Sequence, residues 1–143
     1  MYDRILVGID GSEGAQRALA YAVELASAVD ATLHVLTVVD PQGSRVFGVE
    51  SVSAIDEAAT ELIDSVSEQL TDQDVEIVGD VRRGSPAECL LEYADETDID
   101  LLITGQQGHS SLADRLIGST PDRIARMTTR PFLIVPTDAS RAT

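Results

Sequence analysis

The sequence predicts an α/β protein in which five parallel strands form one sheet, with four helices distributed over both faces. Short apolar runs alternate along the chain with longer segments in which apolar residues recur at helical spacing. The apolar runs are continuous, which is typical of strands that are buried on both faces. Right-handed crossovers then favour a flavodoxin-like or Rossmann-like arrangement, with the strand order 3-2-1-4-5.

The first half of the chain supplies two strands and two helices. Ile5–Ile9 is an apolar strand, and the polar turn after it ends in Ser12, which suits the N-cap of the first helix. That helix is expected to end near residues 29–30. Thr32–Val39 is the second strand, and helical spacing indicates a second helix from about Val52 to Leu70.

The second half continues the alternation. Its predicted elements are a strand at Val75–Val81, a helix at Pro86–Glu96, a strand at Ile99–Thr104, a helix at Thr120–Met127 and a strand at Phe132–Val135. Ser85 can cap the helix at 86–96, and proline suits the first position of that helix. We therefore expect a single domain over residues 1–143, with a frayed tail at 137–143.

The charge balance is strongly acidic. Asp plus Glu number 25 against 10 Lys plus Arg, all ten of which are arginine, and the net charge is −15. Because binding to a nucleic-acid backbone needs a basic stripe, nucleic acid is not an expected partner. Surface carboxylates without lysine resemble the adaptation of salt-accumulating halophiles. The alternative is an ordinary acidic protein that lacks lysine by drift, and the salt dependence of unfolding separates the two.

Other features concern the location of the protein. No apolar run is long enough to span a bilayer, and the first residues lead directly into a strand, so we expect neither a signal peptide nor membrane contact. Cys89 is the sole cysteine and lies in a helical segment, where a buried small hydrophobe is a better interpretation than a reactive thiol. These observations predict a cytoplasmic protein.

A glycine-rich loop joins the fourth strand to the last helix. Gly105 is followed by two residues, Gly108, nine residues and then Gly118-Ser119. Glycine lets the backbone approach an anion closely, and N–H groups at a helix start point toward bound negative charge. Hydroxyls of Ser119 and Thr120 add donors. The segment can therefore hold a nucleotide polyphosphate, and the alternative is a tight strand-to-helix turn.

The chain resembles the universal stress protein family, specifically its ATP-binding branch. That branch is marked by the glycine spacing just described, which this chain matches without departure. The opening segment 4–12, the end of the second strand at 36–40 and the last strand at 130–136 are similar to the family's corresponding segments. The resemblance covers nearly the whole chain and implies an adenine nucleotide alpha hydrolase-like form of the Rossmann-like fold.

The resemblance implies an ATP site at one edge of the sheet. Asp10 would lie near the adenine and ribose, with Gly8 and Ile9 beneath, and Val38 would offer backbone hydrogen bonds to the adenine. The ribose and phosphates would be held by Gly105, Gln106, Gly108, His109, Ser110, Ser111, Gly118, Ser119 and Thr120. Mg²⁺ bridging the ATP is compatible with this site, although no acidic cluster specifies a metal.

The resemblance also implies a homodimer, and the chain departs from the family at one position. Pairing would run through the last strand, which consists of Phe132, Leu133, Ile134 and Val135, and an unpaired edge strand favours association in any case. Pro121 replaces a residue that often has an N–H in the family. Proline suits a first helical turn but removes one phosphate donor, so we expect a modest loss of affinity.

Several polar residues have structural alternatives. Asp10 can serve only as the N-cap of the first helix, and His109 can be an exposed loop residue. His34 lies inside a strand and is interpreted as structural. Arg82-Arg83 are interpreted as solvated turn charges, and the acidic residues between 95 and 100 as a solvated face.

The sequence lacks the motifs of common nucleotide enzymes and hydrolases. It has no lysine to contact phosphates, no P-loop, no nucleophile elbow and no dinucleotide-binding glycines after the first strand. The preferred hypothesis is an ATP-binding regulatory module of stress physiology that acts on an unidentified protein partner, with at most slow ATP hydrolysis. The alternatives are a dimeric scaffold or chaperone-like protein that binds no nucleotide, and an ATP hydrolase whose main task is turnover.

Overall fold

The computed structural model describes residues 2–40, 52–106 and 118–136, without the side chains of 52–55. The elements in chain order are β1 (Arg4–Ile9), α1 (Glu13–Val29), β2 (Thr32–Val39), α2 (Val52–Gln69), β3 (Ile77–Arg83), α3 (Pro86–Glu96), β4 (Leu101–Gly105), α4 (Ser119–Met127) and β5 (Phe132–Val135). Within these ranges, no helix combines the length and apolar character needed to cross a membrane. The tail predicted to fray, residues 137–143, lies outside the described residues.

The five strands are all parallel and lie in the order β3-β2-β1-β4-β5. This arrangement confirms the predicted α/β sheet and its 3-2-1-4-5 order. The order reverses at β1, since the chain builds outward through β2 and β3 and then returns to add β4 and β5 on the other side. The carboxyl ends of β1 and β4 therefore flank the crevice in which open α/β sheets bind ligands.

Different helix pairs cover the two faces of the sheet. On the first face α1 and α2 pack against the strands, and Leu33 of β2 lies among the alanines of α1. On the second face α3 and α4 pack, and Leu36 of β2 lies with Leu90 and Ile124. Successive side chains of a strand point to opposite faces, which is why continuous apolar strands can fill both cores.

Most element boundaries agree with the sequence prediction, and two strands differ. The Ser12 hydroxyl caps α1 as predicted, accepting the Ala15 N–H at 3.2 Å. β3 starts and ends two residues later than predicted, because its pairing with β2 continues to Arg83. β4 starts two residues later, because the Ile99 N–H still donates to the Ala94 carbonyl at the end of α3 (3.0 Å).

His34 and Cys89 are both buried, in agreement with their structural interpretation. The His34 ring approaches the Tyr93 hydroxyl of α3, with 2.7 Å between Nδ1 and the oxygen. Burial and, secondarily, the positive charge of Arg4 lower the pKa of His34, against the weaker opposing effect of Glu76. Burial also raises the pKa of the Cys89 thiol, so the reactive thiolate is disfavoured.

The charges predicted to be solvated are engaged in specific contacts. Arg82 makes two hydrogen bonds to the Glu96 carboxylate, at 2.9 and 3.0 Å, and lies over the Tyr93 ring. Asp100 accepts the backbone N–H groups at the start of β1, which lowers the pKa of its carboxyl group. The interpretation of Arg82 and Arg83 as solvated turn charges is wrong, because the edge strand β3 extends through both residues. Glu96 of α3 lies opposite Arg82, and Asp56 of α2 pairs with Arg83.

Candidate functional site: a cleft at the carboxyl edge of the sheet

A cleft of about 420 Å³ lies at the carboxyl edge of the sheet, on the face that α3 and α4 cover. Every strand that contributes to it does so through its last residues or the turn that follows. Its lining consists of Gly8, Ile9, Asp10, Ser12, Ala15, Leu36, Val38, Asp40, Pro86, Leu90, Thr104, Gly105, Gly118, Ser119, Thr120 and Pro121. The cleft therefore lies where the strand order reverses, as the topology requires.

Three helices begin at this cleft, because each follows a strand that ends there. The cap of α1 (Ser12), the first residue of α3 (Pro86) and the start of α4 (Gly118 to Thr120) all belong to the lining. A helix start carries a partial positive charge of about half a unit and N–H groups without intrahelical acceptors. Their convergence makes the cleft a favourable place for an anion, in a protein whose net charge is −15.

Asp10 is held in the turn between β1 and α1. Its Oδ1 accepts the Ser12 N–H at 2.9 Å, and Ser12 in turn caps the helix. The N-cap is thus Ser12, so the alternative in which Asp10 itself caps α1 is wrong. The Asp10 side chain lies at the cleft, where a carboxylate can accept hydrogen bonds from sugar hydroxyls.

One end of the cleft is an apolar slot. Leu36 and Val38 lie on the same face of β2, two residues apart, and Leu90 of α3 lies opposite with Pro86. Gly8 of β1 lies beneath Leu90: a Cβ there would approach the Leu90 methyl carbons to 3.1 Å, so the absence of a side chain lets Leu90 pack closely over β1 at the cleft. Such a slot fits the flat faces of a heteroaromatic ring.

The backbone of Val38 faces the same slot. The Thr32 N–H donates to the Asp3 carbonyl on the β1 side (2.9 Å), and alternation along a parallel strand puts the backbone of Val38 on that side too. The ladder between β1 and β2 ends at the Ile9–Thr37 pair, one residue earlier. The Val38 carbonyl is therefore directed into the crevice beyond the end of β1.

The other end of the cleft is the start of α4. The Gly118 N–H donates to the Gln106 carbonyl at 2.7 Å, and the Asp122 N–H makes the first helical bond back to Gly118 (3.1 Å). Between them Pro121 has no N–H, so Ser119 and Thr120 supply the two amide donors of this turn together with their hydroxyls. The modest loss of affinity expected from the missing N–H of Pro121 stays a prediction.

Gly105 has a role that the glycine motif alone does not indicate. A Cβ on Gly105 would come within 2.7 Å of the Gly14 carbonyl oxygen, in the first turn of α1. Backbone cannot move aside as a flexible side chain can, so only glycine allows β4 and α1 to approach this closely. Packing of the helix start against the strand therefore explains this glycine independently of any ligand.

The structure brings most of the predicted site residues together. Gly8, Ile9, Asp10, Val38, Gly105, Gly118, Ser119 and Thr120 all line the one cleft. Gln106 is outside that lining; its N–H donates to the Val135 carbonyl (2.9 Å), and its own carbonyl accepts from Gly118. The remaining predicted residues, Gly108, His109, Ser110 and Ser111, lie outside the described residues.

Sequence reasoning missed the residues that form the walls of the slot. Leu36 shares a strand face with Val38, and this two-residue spacing is a signal that the sequence contains, whereas Asp40 follows the end of β2. Pro86 and Leu90 come from α3, whose contact with this face of the sheet follows only from the packed fold. Within the described ranges, no group of three or more His, Cys, Asp or Glu residues is arranged to hold a metal.

Known structures resemble this chain over nearly its whole length, and not only in the order of the strands. The structure of hypothetical protein MJ0577, solved for a structure-based assignment of its biochemical function, matches with a TM-score of 0.80 and 25% identity. The match covers 94% of this chain and 96% of that one. A universal stress protein in complex with cAMP matches with a TM-score of 0.75 and 28% identity, covering 96% and 99% of the two chains.

Sequence comparisons agree with the structural ones. Universal stress protein Rv1636 of Mycobacterium tuberculosis is 32% identical, over 95% of this chain and 97% of its own length. The model of the universal stress protein family matches residues 1–136, which include every element of the fold and every residue that lines the cleft. The chain that forms this sheet and this cleft therefore belongs to the universal stress protein family.

Proposed function

We propose that this protein binds an adenine nucleotide, with ATP as the first candidate, and acts in the cytoplasm as a nucleotide-dependent regulatory module of the stress response. One observation carries the proposal. Segments that the family resemblance predicts to contact ATP, at residues 8–10, at Val38, at Gly105 and at 118–120, line one cleft although they are far apart in the chain. The cAMP complex of a relative that is 28% identical supports the nucleotide class.

The two ends of the cleft match the two ends of a nucleotide. The base occupies the apolar slot between Val38 and Leu90, where the Val38 carbonyl accepts a hydrogen bond from the amino group of adenine. The phosphates lie at Ser119 and Thr120, whose amides begin α4. Asp10, between these ends, accepts hydrogen bonds from the ribose hydroxyls. Any Mg²⁺ arrives on the phosphates, since the described lining offers it carboxylates only from Asp10 and Asp40.

Binding rather than turnover is the activity that this lining favours. The described lining residues include no lysine, arginine or histidine. Phosphoryl transfer relies on cationic groups and ordered metals to stabilise charge in the transition state. A slow ATP hydrolase remains the enzymatic alternative, and measured turnover well above background decides for it.

Self-association through β5 is part of the proposal. Pro131 and Val135 accept N–H groups from the β4 side, at 3.1 and 2.9 Å, so the backbone of Phe132 and Ile134 faces outward from the sheet. Two copies that pair antiparallel about Leu133 exchange hydrogen bonds between these outward residues. Ile134→Pro removes one outward N–H and is expected to give monomers by light scattering, whereas dimers that persist in this variant contradict the pairing.

A charge placed at the helix start tests the nucleotide site. Thr120→Glu keeps α4 stable, because a carboxylate is favourable near a helix start, but it repels phosphate. By calorimetry we expect ATP and AMP to bind at least about tenfold more weakly. The neutral control Thr120→Gln stays within about threefold, and adenosine affinity is nearly unchanged in both. Equal losses in both variants contradict the phosphate assignment, and the absence of nucleotide binding by the wild type favours the scaffold alternative.

A further inference from the structure

The two outer strands of the sheet have different side chains along their outward edges. β3 and β5 are the end strands, and no further strand pairs with either of them within the described residues. An outer strand is a template for pairing with a strand of another chain, and charged side chains are one means of preventing this. β5 consists of four apolar residues, whereas β3 carries Asp80, Arg82 and Arg83. A second copy of the chain therefore meets different chemistry at the two edges.

Alternate residues of β3 direct their backbone groups away from the sheet. The Leu33 N–H donates to the Glu76 carbonyl at 2.8 Å, and the Gly84 N–H donates to the Val39 carbonyl at 2.9 Å. Since these bonds join β3 to β2, the even-numbered residues of β3 face β2 and the odd-numbered residues face outward. Val81 is one of the two central outward residues. Any run of three consecutive outward residues therefore includes the Val81 N–H.

This outward N–H already has an acceptor within its own strand. Oδ1 of Asp80 accepts the Val81 N–H at 2.8 Å. The other carboxylate oxygen, Oδ2, lies 3.6 Å from the Nε of Arg82. Arg82 is fixed in turn by its two hydrogen bonds to Glu96 of α3. The Asp80 carboxylate is therefore held at the outer edge of β3, where a pairing strand would have to place a carbonyl oxygen.

Apart from its charges, β3 has the properties of a strand that pairs readily. It is seven residues long, against four for β5, so it offers the longer row of backbone groups. Ile77, Val78 and Val81 are β-branched, and Val78 is 38% exposed. Length and side-chain type would thus favour pairing at β3 over pairing at β5, unless a specific feature prevents it.

We propose that the Asp80 carboxylate closes the β3 edge against a second copy of this chain, so that self-association runs through β5 alone and ends at two copies. The part that concerns β5 rests on the self-association proposed above, whereas the closure of β3 does not. A chain that paired at both edges would extend into a continuous sheet of many copies. The carboxylate prevents this by occupying the Val81 N–H. At low salt its charge adds repulsion, because an antiparallel pair centred on residue 80 would place two Asp80 side chains opposite each other.

Two substitutions of Asp80 separate the hydrogen bond from the charge. Asp80→Ala removes the acceptor, whereas Asp80→Asn loses the same charge but keeps an oxygen that can accept the Val81 N–H. Light scattering compares both variants with the wild type at ~1 M KCl, where a Debye length of ~3 Å screens repulsion between chains. Over ~10 μM to ~1 mM protein, we expect the mass of Asp80→Ala to rise to at least about twice that of the wild type. Asp80→Asn should keep the wild-type mass.

A proline at the next position tests whether the association uses this edge. Val81→Pro removes the outward N–H itself, and an outer strand tolerates proline at an outward position. The double variant Asp80→Ala with Val81→Pro should therefore return to the wild-type mass, while circular dichroism verifies that each variant is folded. A wild-type mass for folded Asp80→Ala, an equal increase in Asp80→Asn, or an increase that the proline does not reverse would each overturn the inference.

The Ile134→Pro variant separates this inference from the proposed pairing at β5. If Ile134→Pro is a monomer, adding Asp80→Ala should give dimers and no larger species, because β3 is then the edge that can pair. If the wild type is itself a monomer, the β5 pairing is wrong. An increase in mass from Asp80→Ala that Val81→Pro reverses would still support the closure of β3.

Discussion

The two faces of the sheet differ in how completely their helices cover them. On the first face, the small residues of α1 let the helix lie close to β1 and β4, and together with α2 it encloses one continuous apolar core. On the second face, α3 and α4 enclose a smaller core and, among the residues that the structure describes, leave the carboxyl edge open as the cleft. The same strands thus support a closed face and an open one.

Because of this difference, neighbouring residues of one strand contribute either to stability alone or to both stability and ligand binding. β2 carries Leu33 on the closed face and Leu36 on the open face, three residues apart. Both leucines are essentially fully buried, at 0% and 1% exposure. Only Leu36 also lines the cleft. Substitutions that are chemically identical should therefore have different functional consequences on the two faces.

The largest effect is expected from the leucine pair on β2. Leu33→Ala and Leu36→Ala each remove a buried isobutyl group and leave a cavity, so each should lower the free energy of unfolding by about 2–5 kcal/mol. Leu33→Ala should leave nucleotide affinity unchanged at a temperature where the variant is folded. Leu36→Ala should weaken it, because the base slot loses one wall. Denaturant unfolding and calorimetry measure the two quantities, and equal affinities in both variants would contradict the division between faces.

Two glycines, Gly105 and Gly8, allow the packing against α1 on the closed face to be compared with the packing against α3 at the cleft. Gly105→Ala places a Cβ against the Gly14 carbonyl at 2.7 Å, so we expect a loss of about 1–3 kcal/mol from overpacking. Gly8→Ala meets only the flexible end of Leu90 at 3.1 Å and should cost less stability. That methyl group should instead displace Leu90 and narrow the base slot. Thermal unfolding of both variants checks the order, and a smaller loss for Gly105→Ala would refute the packing argument.

The sequence predicted the sheet better than the walls of the cleft, for physical reasons. Prolines mark the start of α3, at residue 86, and both ends of β5, at residues 131 and 136. The predicted end of β3 is two residues too early, because Arg82 and Arg83 are polar and do not continue the apolar pattern of the strand. They belong to β3 because their backbone pairs with Val38 and Val39 of β2 at the edge of the sheet. Leu90 belongs to the cleft through the packing of α3, which no local pattern encodes. Gly105 was identified from the motif, although its contact with α1 is tertiary.

A buried polar pair on the open face should make stability depend on pH. Burial lowers the pKa of His34, so the unfolded chain binds a proton there more readily than the folded one. The stability from neutral His34 is complete above its ordinary pKa of 6.5 and is lost as pH falls from 6.5 toward the lower folded value. Arg4 and Glu76 act on the ring with opposite signs, and the Tyr93 hydroxyl contacts it. Unfolding measured from pH 7.5 to 5.5 should reveal this loss.

Two variants isolate the contribution of this polar pair. Tyr93→Phe should cost about 1 kcal/mol at pH 7, since the buried His34 nitrogen loses its partner. The double variant His34→Leu with Tyr93→Phe should lack the loss of stability between pH 6.5 and 5.5. Glu96 and Asp100 have lowered pKa values and lose their contributions only at more acid pH. An unchanged pH profile in the double variant would exclude His34 as the titrating group.

The smallest effect is expected from the ion pair that joins the two helices of the open face. Arg123 of α4 and Glu88 of α3 lie 2.7 Å apart, but about half of each side chain is exposed to solvent. Such pairs contribute about 0–1 kcal/mol at low salt and less as salt screens them. Arg123→Met should therefore lower stability slightly at ~0.1 M KCl and not measurably at ~1 M. A larger loss that persists in high salt would mean that this contact, rather than the burial of Ile124 against α3, holds α4 beside the cleft.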